Sequence, residues 1–94
     1  MSHVWLTNLG NSYRSRFIRQ GLVEDIDKAV EYQMQAVAIT PEGHVERPRW
    51  LNNLGNSYGA RFDRLGERAD VDKAIECKMQ AVSLMAEGLS LIHI

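Results

Sequence analysis

Apolar residues recur at helical spacing along the first part of the chain. They fall four residues apart, at Trp5, Leu9, Tyr13 and Phe17. This spacing puts them on one face of an amphipathic helix of about four turns. Arginines crowd the end of the segment, where cations complement the helix dipole, and Gly21 follows as a stop signal. The pattern predicts a first helix that ends near Arg19.

A second amphipathic helix is predicted after a loop over residues 20–24. Asp25 is placed to cap its N-terminus, with Asp27 in its first turn. Its apolar face is made of Ile26, Ala29, Val30, Met34, Ala36 and Val37. The helix is expected to end at Thr40-Pro41, and Met34, Met79 and Met85 are expected to fill core.

The same arrangement returns 45 residues later. Residues 5–43 align with residues 50–88 without a gap, and 23 of the 39 positions are identical. The second copy predicts helices over residues 48–64 and 70–85, joined by a loop over 65–69. A fixed period of this length indicates a repeat architecture, in which helix pairs stack because one pair cannot bury its apolar face alone. We therefore expect an all-α chain, with two repeats of about 4–43 and 48–88 filling residues 1–88.

A glycine interrupts the first helix of each repeat at the same place. Gly10 and Gly55 each cost about 1 kcal/mol relative to alanine in a helix. Their recurrence predicts that another helix passes close by and leaves no room for a side chain. The alternative is a tolerated weak spot.

The last residues depart from the repeat. Residues 89–94 read Leu-Ser-Leu-Ile-His-Ile, where the period calls for a polar loop. We interpret this tail as sequence foreign to the protein, such as a translated adaptor. The alternative is a genuine terminal extension. In either case the chain is expected to be a fragment of a longer array.

Composition and charge narrow the functional classes. The net charge is −1, which argues against a dedicated binder of nucleic acid or of anionic membranes. No apolar run approaches the ~20 residues of a membrane span, and no signal peptide is visible. Cys77 stands alone, which excludes an internal disulfide and fits a reducing compartment. A soluble, cytoplasmic protein is expected.

The repeated residues resemble the tetratricopeptide repeat. The resemblance covers residues 4–88 and is carried by Leu9, Gly10, Tyr13, Ala29, Ala36 and Pro41, which keep the family's relative order. It implies a right-handed α-solenoid of two antiparallel helix pairs. The period here is longer than the usual ~34 residues. Gln33 and Lys78 also stand where the family usually has a large aromatic residue. Long repeats of this kind resemble those of kinesin light chains and of fungal arrays joined to caspase-like protease or nucleotide-binding domains.

Candidate catalytic chemistry is sparse. His3, His44 and His93 lack the spacing of metal ligands. The aspartate pairs are explained by helix capping, and the arginines by solvated helix ends. Ser12 and Ser57 lie in no nucleophile motif, and Cys77 is expected to be a packing or surface residue rather than a reactive thiol. No enzyme activity, metal or cofactor is predicted.

Asparagines form the one constellation that points to a ligand. Asn8, Asn11, Asn52, Asn53 and Asn56 fall on the first helix of each repeat. A primary amide both donates and accepts, so it can pair with peptide backbone whatever the side chains. The Leu-Gly-Asn runs resemble those of peptide-gripping tetratricopeptide proteins, which implies peptide-binding roles for Asn11 and Asn56 above all. Carboxylate-clamping members carry a lysine one turn earlier, where this chain has Thr7 and Asn52, so a clamp for a terminal carboxylate is not expected.

The function predicted from these features is a protein–protein interaction scaffold that binds peptide segments on the concave face of a repeat array. The partners are a protein or peptide and either neighbouring repeats or a second copy, with no nucleic acid and no membrane. The alternative is a structural spacer in a larger signalling or caspase-like-protease-linked protein, in which the asparagines cap loops or bridge helices.

Overall fold

Four α-helices make up the chain in a computed structural model, which describes the backbone of residues 2–92 and the side chains of residues 2–87. In order they are α1 (His3–Gln20), α2 (Val23–Ile39), α3 (Arg47–Leu65) and α4 (Arg68–Ile92). The described part contains no strand. The prediction of an all-α fold is confirmed.

Glycines end the first helix of each pair and reverse the chain. Gly21 and Gly66 have φ angles of 74° and 72°, and their N–H groups donate to Phe17 O and Phe62 O. A side chain disfavours this left-handed conformation, so glycine is the usual residue at such a cap. The short connections make α2 pack along α1 and α4 along α3. We call α1 with α2 the first pair, and α3 with α4 the second pair.

The second helix of each pair begins earlier than predicted. α2 starts at Val23 with Leu22 at its N-cap, and α4 starts at Arg68. Asp25 and Asp70 therefore lie inside the helices and do not cap them, so that prediction is wrong. Both carboxylates are buried and pair instead with arginines of the preceding helix.

α4 also runs beyond the predicted end at Met85 and continues to Ile92. The difference follows from one residue, because Pro41 of the first pair is replaced by Ala86. Proline blocks helix continuation, whereas alanine is the best helix former. Residues 89–92 of the predicted tail are thus helical in backbone, while residues 93–94 and the side chains of 88–94 lie outside the described part.

Two apolar clusters hold the helices together. The first joins α1 and α2 through Phe17, Ile26 and Ala29. The second joins the two pairs, and it is made of Val30, Leu54, Tyr58 and Cys77. α2 packs on α3 and α1 also contacts α3, whereas the backbones of α2 and α4 do not approach each other within the described residues. The first helices of the two pairs therefore lie side by side.

The mid-helix glycines mark close helix approaches, as predicted. A Cβ on Gly10 would lie 2.5 Å from Gln33 Cγ and 3.2 Å from the Ala29 carbonyl oxygen. On Gly55 it would lie 3.2 Å from Lys78 Cε and 3.3 Å from the Ala74 carbonyl oxygen. Each second helix thus crosses its partner closely, and a side chain would collide at Gly10 and be tightly confined at Gly55.

Some apolar residues expected in the core are exposed. Trp50 is 5% exposed, whereas its counterpart Trp5 is 51% exposed. The methionines Met34, Met79 and Met85 are also exposed, so the prediction that they fill core is wrong. They lie on helix faces that carry no further helix. Among the described residues, no helix is both long and apolar enough to cross a membrane.

Candidate functional site

The asparagines predicted to bind peptide lie on α1 and α3, the two adjacent first helices. Asn8, Asn52 and Asn56 are exposed, and Asn11 and Asn53 are half-buried. Two of them contribute to the packing between helices, and two others form a cluster with a lysine from α4.

Asn53 joins the two first helices. Its amide Nδ2 donates to Thr7 Oγ1 at 3.3 Å, and its backbone oxygen accepts from Arg14 at 3.0 Å. Thr7 is almost fully buried, and partial burial lowers the pKa of the Arg14 guanidinium. Asn53 is therefore a bridge between α1 and α3, and Arg14 is not the solvated cation that the sequence predicted.

Gln33 connects three helices from a fully buried position on α2. Its Nε2 donates to Asn11 Oδ1 on α1 at 2.7 Å, and its Oε1 accepts from Ser57 Oγ on α3. Burying a primary amide is tolerable only when its groups are bonded, and here both ends are. The Asn11 carbonyl oxygen is therefore engaged in a hydrogen bond within the fold, whereas its amide N–H groups can donate to other partners.

Lys78 occupies the equivalent position in the second pair, and it makes a different site. Its ammonium donates to Asn52 Oδ1 at 2.7 Å and to Asn56 Oδ1 at 2.5 Å. An ammonium has three donors, and these bonds use only the carbonyl oxygens of the amides. One Lys78 donor and the NH2 groups of Asn52 and Asn56 are left for a ligand. We call these three residues the lysine–amide cluster.

The chemistry of the lysine–amide cluster suits an oxygen-rich ligand. A cation beside two amide donors favours carboxylates and backbone carbonyls. Lys78 was not among the residues predicted for this site, and in the sequence it stood out only as a replacement for an aromatic residue. A signal was present, because Lys78 aligns with Gln33 on the helix that passes Gly55. Pairing these helices would have put it beside Asn52 and Asn56.

Ion pairs occupy the opposite end of the first helices. Arg16 bonds both carboxylate oxygens of Asp25, at 2.8 and 2.7 Å, and Arg61 bonds Asp70 at 2.9 Å. Arg61 also reaches Asp27 of the first pair at 3.1 Å. The sequence predicted solvated arginines here, which holds for Arg16, whose side chain is 49% exposed, but is wrong for Arg61, whose side chain is 22% exposed. Each is anchored to a carboxylate of the second helix, which orients the helix pair.

The ion pairs shift the charge equilibria of their members. The hydrogen bonds from Arg16 hold the pKa of the Asp25 carboxyl below its ordinary 3.8. The same bonds raise the pKa of Arg16, and the bonds that Arg61 donates to Asp70 raise the pKa of Arg61. All of these groups are therefore charged near neutral pH, and none is poised to exchange a proton there.

The remaining reactive side chains are engaged in packing. Cys77 is buried in the cluster between the pairs, where burial raises the pKa of its thiol. The thiolate is the nucleophile, so a raised pKa lowers the reactive fraction, and of the two places expected for Cys77 the structure shows the packed one. Ser12 donates to the backbone oxygen of Asn8. Among the described residues, no three histidine, cysteine or acidic side chains cluster as metal ligands.

An open groove lies away from the asparagines, between the loop after α2 and the helices α3 and α4. It measures about 500 Å³ and is lined by Glu42, Gly43, Arg47, Leu51, Gln80, Ser83, Leu84 and Glu87. Arg47 already donates to the backbone oxygens of Val37 and Thr40, which ties the loop to α2. With its one cation committed in this way, the groove has little to offer an anionic ligand.

Comparison with known proteins adds no identification. No protein-family model, curated protein or solved structure matches the chain.

Proposed function

We propose that this chain is a two-repeat segment of a tetratricopeptide-like, right-handed α-solenoid that belongs to a longer array of a cytoplasmic protein. Its role is to bind extended peptide segments on the concave face formed by the first helices, with no catalysis of its own. The observation that carries the proposal is the lysine–amide cluster, which presents spare donors beside α3.

The spacing of the pairs favours a peptide ligand. Packed helices lie about 10 Å apart, and an extended peptide advances about 3.3 Å per residue. Asn11 and Asn56, at equivalent positions of α1 and α3, would meet backbone groups about three residues apart. Lys78 adds a preference for a peptide with an acidic residue near Asn56.

The test is a binding assay on immobilised peptides of ten to fifteen residues, half of them carrying acidic residues. For the peptides retained by the wild-type chain, we expect Asn52→Ala with Asn56→Ala to weaken binding about tenfold, because each hydrogen bond contributes about 0.5–1.5 kcal/mol. Lys78→Met should weaken binding of the acidic peptides and reduce its dependence on salt. Gln35→Ala, which removes an exposed amide from α2, serves as the matched control.

A second function is favoured by a different observation. Four of the five asparagines, all except Asn8, use side-chain groups in hydrogen bonds within the chain. A structural spacer of a larger signalling or caspase-like-protease-linked protein would need only those bonds. The same assay and variants separate the two proposals, because in a spacer the asparagine changes lower the free energy of unfolding and the wild-type chain retains no peptide that depends on them.

A further inference from the structure

The junction between the first and second pairs shows how one helix pair packs on the next. Val30 of α2 packs against Leu54 and Tyr58 of α3. Around this apolar contact, Ser57 donates to Gln33, and Arg61 pairs with Asp27 at 3.1 Å. The junction therefore combines an apolar centre, a buried hydrogen bond and an ion pair.

Both halves of this junction recur at the outer faces of the molecule, displaced by the same 45 residues. The counterparts of the α3 half lie on α1 and are Leu9, Ser12, Tyr13 and Arg16. The counterparts of the α2 half lie on α4 and are Asp72, Ile75, Lys78 and Val82. Each outer face thus carries one side of an interface whose other side is present on the far end of the same chain.

The outer faces are open to solvent in the structure. Ile75 and Val82 on α4 are 53% and 62% exposed. On α1, a groove of about 330 Å³ runs along Leu9, Ser12, Tyr13, Arg16 and Arg19, with exposed Trp5 on the same helix. An exposed apolar face of this kind marks an interaction site.

We propose that the α4 face of one copy docks on the α1 face of a second copy, so that the chain assembles head to tail. Ile75 would enter the α1 groove between Leu9 and Tyr13, as Val30 meets Leu54 and Tyr58 inside the chain. The charges are complementary as well. Asp72 stands where Asp27 stands, and Arg16, which is half exposed, stands where Arg61 stands.

The junction between copies is weaker than the internal one, for identifiable reasons. Arg14 braces the internal junction through Asn53 O, and its counterpart is Gly59. Arg47 ties the α2 end to α3, and its counterpart is Ser2. The docking faces also differ from each other, so the contact is heterologous and each added copy leaves a free face at both ends. Assembly is therefore reversible, dependent on concentration and open-ended.

The experiment uses sedimentation velocity of the purified chain over a wide concentration range, with two blocking variants. Trp5→Glu places a charge on the α1 face and Ile75→Glu places one on the α4 face. Wild type should form dimers and larger species as concentration rises. Each variant alone should stay monomeric where wild type assembles, with its apparent Kd raised at least tenfold. An equimolar mixture should give a dimer and nothing larger, because each variant keeps one intact face.

Control variants and the mixture decide the outcome. The control is Ile18→Glu, which places a charge on another side of α1. Ile18 is 70% exposed, and its counterpart in the second pair is already acidic, Asp63. This variant should assemble like wild type. Far-UV circular dichroism checks that each variant is helical. If a glutamate variant fails to fold, the milder change at the same position, Trp5→Ser or Ile75→Ser, takes its place. The proposal is overturned by a wild-type chain that stays monomeric, by a mixture that stays monomeric, or by an Ile18→Glu variant that also fails to assemble. Lys78 belongs both to the α4 docking face and to the lysine–amide cluster, but none of these variants replaces it or the asparagines, so assembly can fail while the peptide-binding residues are intact.

Discussion

The two helix pairs are alike in sequence, yet position 33 and its counterpart at 78 have opposite surroundings. Gln33 is fully buried and bonded on both sides, because α3 covers it. Lys78 is only half-buried, because within the part of the chain that the structure describes no helix covers α4 on that side. The side chains differ accordingly, with a neutral amide under a neighbouring helix and a cation at the open edge.

The two tryptophans carry the same lesson on the first helices. Trp50 packs beneath the first pair, and its indole Nε1 donates to His3 Nδ1 at 3.0 Å. Trp5 occupies the same register of α1 and faces solvent. Burial is thus a property of position in the stack, since equivalent residues with one identity have different neighbours.

Truncation of the two tryptophans should give the largest difference in stability between equivalent positions. Trp50→Ala should lower the free energy of unfolding by about 3–5 kcal/mol, because a buried aromatic leaves a cavity. Trp5→Ala should cost less than about 1 kcal/mol, because its side chain is already half in water. Urea denaturation followed by circular dichroism, at a concentration low enough to keep the chain monomeric, measures both. Equal losses would show that the two pairs are equally covered.

Exchanging the residues at 33 and 78 should have the next largest effect. Gln33→Lys buries an unpaired ammonium among three helices and should cost about 3 kcal/mol. Lys78→Gln changes a half-buried side chain, keeps amide bonding available, and should stay within about 1 kcal/mol of wild type. The same denaturation assay applies. A Gln33→Lys variant as stable as wild type would mean that α3 does not seal this position.

Alanine substitutions at the two mid-helix glycines should change the free energy of unfolding by smaller amounts. Gly10→Ala pushes a methyl group against buried Gln33 and should cost about 1–2 kcal/mol, even though alanine favours the helix by about 1 kcal/mol. Gly55→Ala meets the Lys78 side chain, which can swing towards solvent, so the change should be neutral or slightly stabilising. Thermal unfolding of the two variants tests the difference. Equal losses of stability in the two variants would show that both helix crossings are equally crowded.

The smallest expected effect concerns the ion pair of the first pair. The Asp25 pKa is lowered by Arg16, so the pair stabilises the fold above the carboxyl's ordinary pKa of 3.8. This contribution disappears as the pH falls below that value and through the lowered pKa. Unfolding free energies measured across this acid range should fall less steeply with acidification for Asp25→Asn and Arg16→Met than for wild type. An unchanged slope in Asp25→Asn would show that the carboxyl is not paired in solution.

Much of the helical layout was predictable from local pattern. The four helices, the turns at Gly21 and Gly66 and the close crossings at Gly10 and Gly55 follow from spacing and residue type. The helix starts were missed at Asp25 and Asp70, because a capping carboxylate and an ion-paired one look alike in sequence. The end of α4 was missed although Ala86 in place of Pro41 had signalled it.

The candidate site was predicted in part. The asparagine positions on α1 and α3 came from helical periodicity, but the partners of those asparagines did not. Lys78 was missing from the prediction because its place beside Asn52 and Asn56 depends on how α4 crosses α3. The bridges from Asn53 to Thr7 and from Asn11 to Gln33 depend in the same way on contacts between helices.

Local sequence signals determine where the helices form and turn, because the spacing of apolar residues and the positions of glycine and proline act over a few residues. The sequence also determined that the two halves would fold alike, because 23 of the 39 aligned residues are the same. Only the tertiary structure decided which of two identical side chains is covered and which carboxylate meets which arginine. Those outcomes depend on neighbours that are distant along the chain, and a single helix pair contains no information about what packs against its outer faces.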